Sequence, residues 1–335
     1  MFQTTLHIWL QQFDSEWIIM FFQAITALGY PVFFILTLLI VIFGISFRKG
    51  FILLILVMWT AAITLFLKQT FDLPRPYMVN KNIELWDNEV NTDVAILKDG
   101  SATHFFELLP KSTVVYFKDK DIPYGFPSGH TSLAIAFWGA LALLFRKRWL
   151  NRIVILLIFL IPFSRVYLGV HFLADILSGY LVGGILLWSF YKIVINPISL
   201  KAFMDCHQHK FAFDIKNFLI ILVPISWFFL LEDAKYLIAS GVSLGFGLGF
   251  LAIAEKGLPI ETGTLFQRIN KVITAIFIFT TTIFIFDMIA KAVNLYDVRL
   301  YMFLKYVVVS FGSTYIGTLL HFRLKWSQRE KSKEF

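Results

Sequence analysis

The segment Ser164–Asp175 reads SRVYLGVHFLAD and sets an arginine, a histidine and an aspartate between two long apolar runs. Ionisable groups at the boundary of apolar segments are costly and usually have a role. His171 and Asp175 are four residues apart, which places them on one helix face, one turn from each other. The carboxylate can accept the proton on one imidazole nitrogen and leave the other as a nucleophile or base. Arg165 adds a planar, permanently charged fork suited to phosphate. Two further blocks fit the same chemistry. Lys68-x6-Arg75-Pro76 supplies two more cations, and with Arg165 they can neutralise a phosphoryl dianion and its developing charge. Pro127-Ser128-Gly129-His130 opens a helix whose unpaired N–H groups and dipole end favour an anion. Gly129 allows close backbone approach, Ser128 adds a hydroxyl donor, and His130 can protonate a leaving oxygen while His171 attacks from the other side.

These residues need a scaffold that holds them on one face. The chain has 335 residues, 58% hydrophobic and only 16% charged. Soluble domains are about 45–50% apolar and about 25% charged, so an all-α polytopic integral membrane bundle is expected. Residues 1–30 read as an interfacial amphipathic segment, with a helix over 5–28 broken by Gly29-Tyr30-Pro31. About nine transmembrane helices follow, near 31–47, 51–67, 130–145, 153–163, 172–195, 217–231, 235–253, 272–290 and 301–320. The organisation expected is a catalytic membrane core over 31–196 and additional helices over 217–320. A basic cytoplasmic tail, 321–335, closes the chain. Residues 77–125, after the Pro74-Arg75-Pro76 break, are long enough for an extramembrane lid. Residues 1–16 lack the basic start of a signal peptide, so none is expected.

The net charge of +8 does not point to nucleic acid, because the basic residues gather in short loops between apolar runs. Alternate loops hold 18 of the 30 Lys and Arg. By the positive-inside rule, Arg146–Arg148 and the tail face the cytoplasm. Lys68, Arg75, His130, Arg165 and His171 then share the outer face, where a lipid headgroup lies. Taken singly, His171 would pass as an interfacial histidine, and Lys68 or Arg165 as a snorkelling side chain. Their common face and order argue for a joint site.

The three blocks resemble the signature of the type 2 phosphatidic acid phosphatase superfamily, which also includes vanadium haloperoxidases and glucose-6-phosphatase. All eleven signature positions are present in order over residues 68–175. The resemblance implies a phosphohistidine mechanism with no metal or other cofactor. In it His171 is the nucleophile, Asp175 its partner and His130 the general acid and later base. Lys68, Arg75, Ser128, Gly129 and Arg165 hold the phosphate. It also implies a phosphorylated lipid as substrate: phosphatidic acid, phosphatidylglycerophosphate, a polyprenyl diphosphate or a sphingoid-base phosphate. The expected location is a bacterial inner membrane with a periplasmic site, or an endomembrane with a lumenal one. The alternatives are a sugar-phosphate phosphatase similar to glucose-6-phosphatase, whose span number this chain approaches, and a lipid phosphotransferase.

Other features are weaker. Cys206, His207 and His209 lack the spaced pairs of a zinc site and read as a solvated connector. Gly245, Gly247 and Gly249 sit in an apolar run and suggest close helix packing rather than a nucleotide loop. Asp287 and Lys291, spaced i,i+4, are expected to pair.

Overall fold

A computed structural model describes residues 1–87, 97, 99–118, 120, 122–195, 234–260, 263–293, 295 and 298–329. Helices dominate, and among the described residues the only extended pairing is two isolated bridges, Asn80 with Asp99 and Pro259 with Arg329. Among the described residues, six helices are long and apolar enough to cross a membrane, or seven with one bent pair counted as a span. Of the nine expected spans, 217–231 lies outside the described residues, as do Cys206, His207 and His209. The helix over Gly129–Phe145 is apolar but shorter than the others, at 17 residues.

The chain forms two compact units: Met1–Phe34 with Trp59–Ile193, and Ile35–Met58 with Val194–Phe335. The first unit starts with α1 (Thr5–Leu10) and α2 (Glu16–Ala27). The single helix expected over 5–28 is thus two, because polar residues Gln11, Gln12, Asp14 and Ser15 interrupt it and Ser15 takes extended backbone before Glu16. The bent pair is α2 with the helical stretch that follows it, Pro31–Ile45, at 51°. That stretch begins as α3 (Pro31–Leu39) and ends in a wide turn, Ile40–Ile45. Next come α4 (Phe47–Phe71), the short α5 (Pro76–Val79) and α6 (Lys111–Phe117). The first signature block lies on α4 and at the start of α5; the other two lie along α7 (Gly129–Phe145), α8 (Arg148–Tyr167) and α9 (Leu173–Phe190) and the turns that precede α7 and α9.

Two glycines let α9 lie directly on the start of α7. A Cβ at Gly179 would fall 2.7 Å from the Ser128 carbonyl oxygen, and one at Gly183 would fall 2.6 Å from that of Ser132. The proposed lid does not hang free. Tyr77, Met78, Val79, Ile83, Ala102, Leu109 and Phe117 form a buried cluster with Phe2, Phe172 and Ala174. Burying such side chains contributes roughly 1.5–3 kcal/mol each, which ties the segment down beside His171.

In the second unit α10 (Ala234–Lys256) packs against α12 (Arg299–Phe311), with α11 (Leu265–Val293) and the last helix, α13 (Gly317–Arg323), beside them. The expected glycine packing holds at Gly245 and Gly249, which meet the Val307 carbonyl and Thr314; Gly241 extends the stripe to Phe303. Asp287 pairs with Lys305 of α12, a partner that its spacing to Lys291 did not indicate.

Candidate active site

His171 lies in the short connection between α8 and α9, and 1% of it is exposed. The connection is shaped by Gly169, whose φ of +76° is a left-handed value and whose Cβ would fall 2.5 Å from the Glu84 carbonyl oxygen. The N–H groups of Val170 and His171 both donate to the Arg165 carbonyl, at 3.0 and 3.2 Å. The ring follows from the expected i,i+4 pairing: Nδ1 of His171 is 3.1 Å from Oδ2 of Asp175. The same oxygen accepts from the Phe172 N–H at 2.9 Å, so Asp175 both caps α9 and orients the ring. Nδ1–H is then the donor, and Nε2 keeps its lone pair.

The other two blocks reach the same place through backbone contacts. Lys68 donates to the carbonyls of Tyr124 and Gly125, both at 2.8 Å, and Arg75 Nε donates to that of Pro123 at 2.6 Å. The two cations thus grip the segment that leads into α7. There is no room for a side chain at Gly125, where a Cβ would lie 3.0 Å from Asp175 Oδ2. The Ser128 N–H donates to the Asp175 carbonyl at 2.9 Å, joining the second block to the third. The Ser128 hydroxyl oxygen caps α7, accepting from the Thr131 N–H at 3.4 Å and the Thr131 hydroxyl at 3.0 Å. Its own proton remains to be donated. Gly129 opens the helix, and His130 follows with its ring edge-on to Tyr30 at 5.0 Å.

Arg165 is 2% exposed and is held from two sides. One terminal nitrogen, Nη1, donates to the Thr26 hydroxyl at 2.7 Å and lies 2.6 Å from Asp87 Oδ2. Tyr30 donates to the other oxygen of Asp87 at 2.5 Å. Four buried polar atoms, one on each of four signature residues, make no hydrogen bond among the described residues: Arg75 Nη1, His130 Nε2, Arg165 Nε and Asp175 Oδ1. Buried donors are rarely left so unless something else occupies the space they face.

Residues 49–198 match the family model described as the PAP2 superfamily. The match takes in all three blocks, from Lys68 to Asp175, and a little under half of the chain. The chain's similarity to curated relatives is local. A "Lipid A 4'-phosphatase" of Bacteroides thetaiotaomicron is 40% identical over 70 residues, 21% of this chain and 31% of that protein. One of Porphyromonas gingivalis is 34% identical over 89 residues, 27% of this chain and 38% of that protein. The chain thus spans about a third of the length of these relatives. Among solved structures, the crystal structure of Aquifex aeolicus LpxE aligns with 56% of this chain and 93% of its own, at a TM-score of 0.41 and 24% identity.

Around the PAP2 signature the structure adds four residues that the motif reading passed over: His7, Thr26, Tyr30 and Asp87. Gly29 belongs with them, since a Cβ there would fall 2.7 Å from the His130 ring. No local spacing in the sequence marked these residues. Asp87, a carboxylate in the expected lid, is 5% exposed and lies against Arg165 and near Arg75. His7 donates through Nε2–H to the His171 carbonyl oxygen, 2.9 Å away, because that oxygen can only accept.

The electrostatics of the two histidines outside the spans agree in sign. Burial, then the charges of Lys68, Arg75 and Arg165, hold the His171 ring well below the usual imidazole range. It is neutral at pH 7, as a nucleophile must be. Burial pushes His7 down to about 4, against the hydrogen bond to His171, which raises it. The unfolded chain titrates its histidines near 6.5. Below that pH the unfolded state takes up protons that the folded state refuses, so stability is complete above about 6.5 and falls as pH drops toward 4. Each group contributes a slope of at most about 1.4 kcal/mol per pH unit. His7→Gln, which keeps a donor of similar reach, is expected to flatten the fall in melting temperature between pH 6.5 and 4. An unchanged profile would show that His7 does not carry it.

Proposed function

We propose that the chain is a membrane lipid phosphatase that acts through a phosphohistidine. The four unpartnered buried atoms on Arg75, His130, Arg165 and Asp175, set around a neutral His171, are the observation that carries the reading. A phosphoryl group among them gives the guanidinium nitrogens their acceptors. His171 Nε2 attacks phosphorus, and the bond to the lipid oxygen breaks as that oxygen takes the proton of His130. The Asp175 carboxylate stabilises the charge that appears on the His171 ring. In the second half, His130 takes a proton from water, and the resulting oxygen attacks phosphorus to release phosphate and restore His171. Lys68, Arg75, Arg165 and the opening N–H groups of α7 stabilise the equatorial oxygens in both steps.

A phosphate monoester on a lipid is the favoured substrate, and lipid A takes first place because both relatives are described as lipid A 4'-phosphatases. The alternation of basic loops supports an active face on the outer side of the membrane. The test is phosphate release by the purified chain in detergent from lipid A, phosphatidic acid, phosphatidylglycerophosphate, a polyprenyl diphosphate and glucose 6-phosphate. Release from one lipid class is expected, blocked by vanadate and indifferent to chelator. Release from glucose 6-phosphate alone would replace this reading with the sugar-phosphatase one. Transfer of phosphate to an added lipid acceptor without release to water would replace it with a phosphotransferase.

A further inference from the structure

The second unit contains a small cleft that shares no residue with the PAP2 signature. Its polar wall includes Lys271 of α11 and Thr318 and His321 of α13. These side chains are 7%, 1% and 2% exposed. Oγ1 of Thr318 and Nε2 of His321 are buried with no hydrogen-bond partner among the described residues. No carboxylate among those residues pairs with Lys271, and none lines the cleft. The His321 ring is fixed in place, with Phe43 edge-on at 5.8 Å and Trp326 stacked at 6.1 Å. Ile42, Phe43 and Ile260 contribute apolar lining.

Desolvating an ammonium without a counter-charge costs several kcal/mol, and each unpartnered buried polar atom adds to that cost. Three polar side chains lining one cleft, with no carboxylate among the described lining residues, suit the chemistry of an incoming oxyanion. We propose that this cleft is a second, non-catalytic anion site, which binds a phosphate-type oxyanion against Lys271, Thr318 and His321. The group comes either as free phosphate or as the headgroup of a lipid whose glycerol end meets the apolar lining. The proposal does not depend on the phosphatase reading.

The test uses the full chain in a phosphate-free maltoside detergent. Equilibrium dialysis with labelled inorganic phosphate and, separately, with labelled dihexanoyl phosphatidylglycerol measures bound probe per chain. A binding class is expected that Lys271→Met weakens by at least about tenfold and Thr318→Val weakens less, as for loss of a charged and a neutral partner. Lys271→Arg is expected to keep it, which with an unchanged helical melt for Lys271→Met rules out misfolding. A lower dissociation constant for the phosphatidylglycerol than for phosphate identifies the lipid headgroup; the reverse order identifies the free ion. Phosphate bound in the catalytic site forms a class that Lys271→Met leaves alone. Glu261 lies outside the described residues, so Glu261→Gln is measured in parallel. Absence of any Lys271-sensitive class for either probe would overturn the proposal. So would a class present only after Glu261→Gln, because the lysine would then have its own carboxylate.

Discussion

His171→Ala is expected to lower phosphate release by on the order of 10⁴-fold or more, the scale of losing a covalent nucleophile. That is about 5.5 kcal/mol of transition-state stabilisation. The fold should survive the change. The His171 side chain makes one hydrogen bond, to Asp175, and Asp175 keeps the Phe172 N–H that caps α9. The connection itself is shaped by Gly169 and by N–H groups bonded to the Arg165 carbonyl. A rapid quench into alkali with a labelled substrate supplies a second readout. Wild type should carry label on the protein, and His171→Ala should carry none. Turnover near the wild-type rate, or label retained in the variant, would remove His171 from the nucleophile's place. His130→Ala separates the roles further, because it leaves the nucleophile and removes the acid. Its deficit should be smallest on substrates whose leaving oxygen needs no proton.

Asp87→Asn is expected to cost about 3–5 kcal/mol in stability, the range for removing one partner of a buried ion pair. Asp87 and the Arg165 guanidinium are 2.6 Å apart, and both side chains are 2% exposed. Without the carboxylate, Arg165 keeps the Thr26 hydroxyl but loses its counter-charge. Asp87 acts through Arg165 and Tyr30 and is a positioning residue. A merely structural role would lower melting temperature and leave the kinetics of the surviving folded protein unchanged. Positioning predicts a fall in kcat/KM of about 10²-fold, the cost of a misplaced catalytic group. It also predicts that vanadate raises the melting temperature of Asp87→Asn by more than that of wild type, since a bound oxyanion replaces the lost charge. Equal vanadate shifts in the two proteins would sink the positioning role.

The spacing of the signature made most of the candidate site readable without a structure. The expected His171–Asp175 contact forms, but not along a helix face: His171 precedes α9, and Asp175 in its first turn reaches back to the ring and to the Phe172 N–H. The helix start at Gly129 was local, since Ser128 is an N-cap residue by type. Periodicity also placed the long apolar helices, including Arg148–Tyr167 and Leu265–Val293, to within several residues. It failed at the N-terminus, where α1 and α2 are separate helices. There the apolar residues suggested an amphipathic face, while the polar break at residues 11–15 decided the backbone. The stripe of Gly179 and Gly183 was visible in the sequence as glycines four apart, but only the packed helices show that it seats α9 on Ser128 and Ser132.

Sequence alone determined the inventory of this protein: a membrane chain, three cations, two histidines and one carboxylate in the order of a phosphoryl-transfer signature. Only the tertiary structure decided what holds that inventory in place. Thr26 meets Arg165 from 139 positions away, and His7 meets the His171 carbonyl from 164. Asp87 comes from a segment with no periodic pattern. Contacts at such separations leave no mark on local spacing, because any aspartate, threonine or histidine of suitable size could make them. Desolvation selects among these residues once the helices close, since a buried guanidinium stays charged only where a carboxylate and a hydroxyl arrive with it.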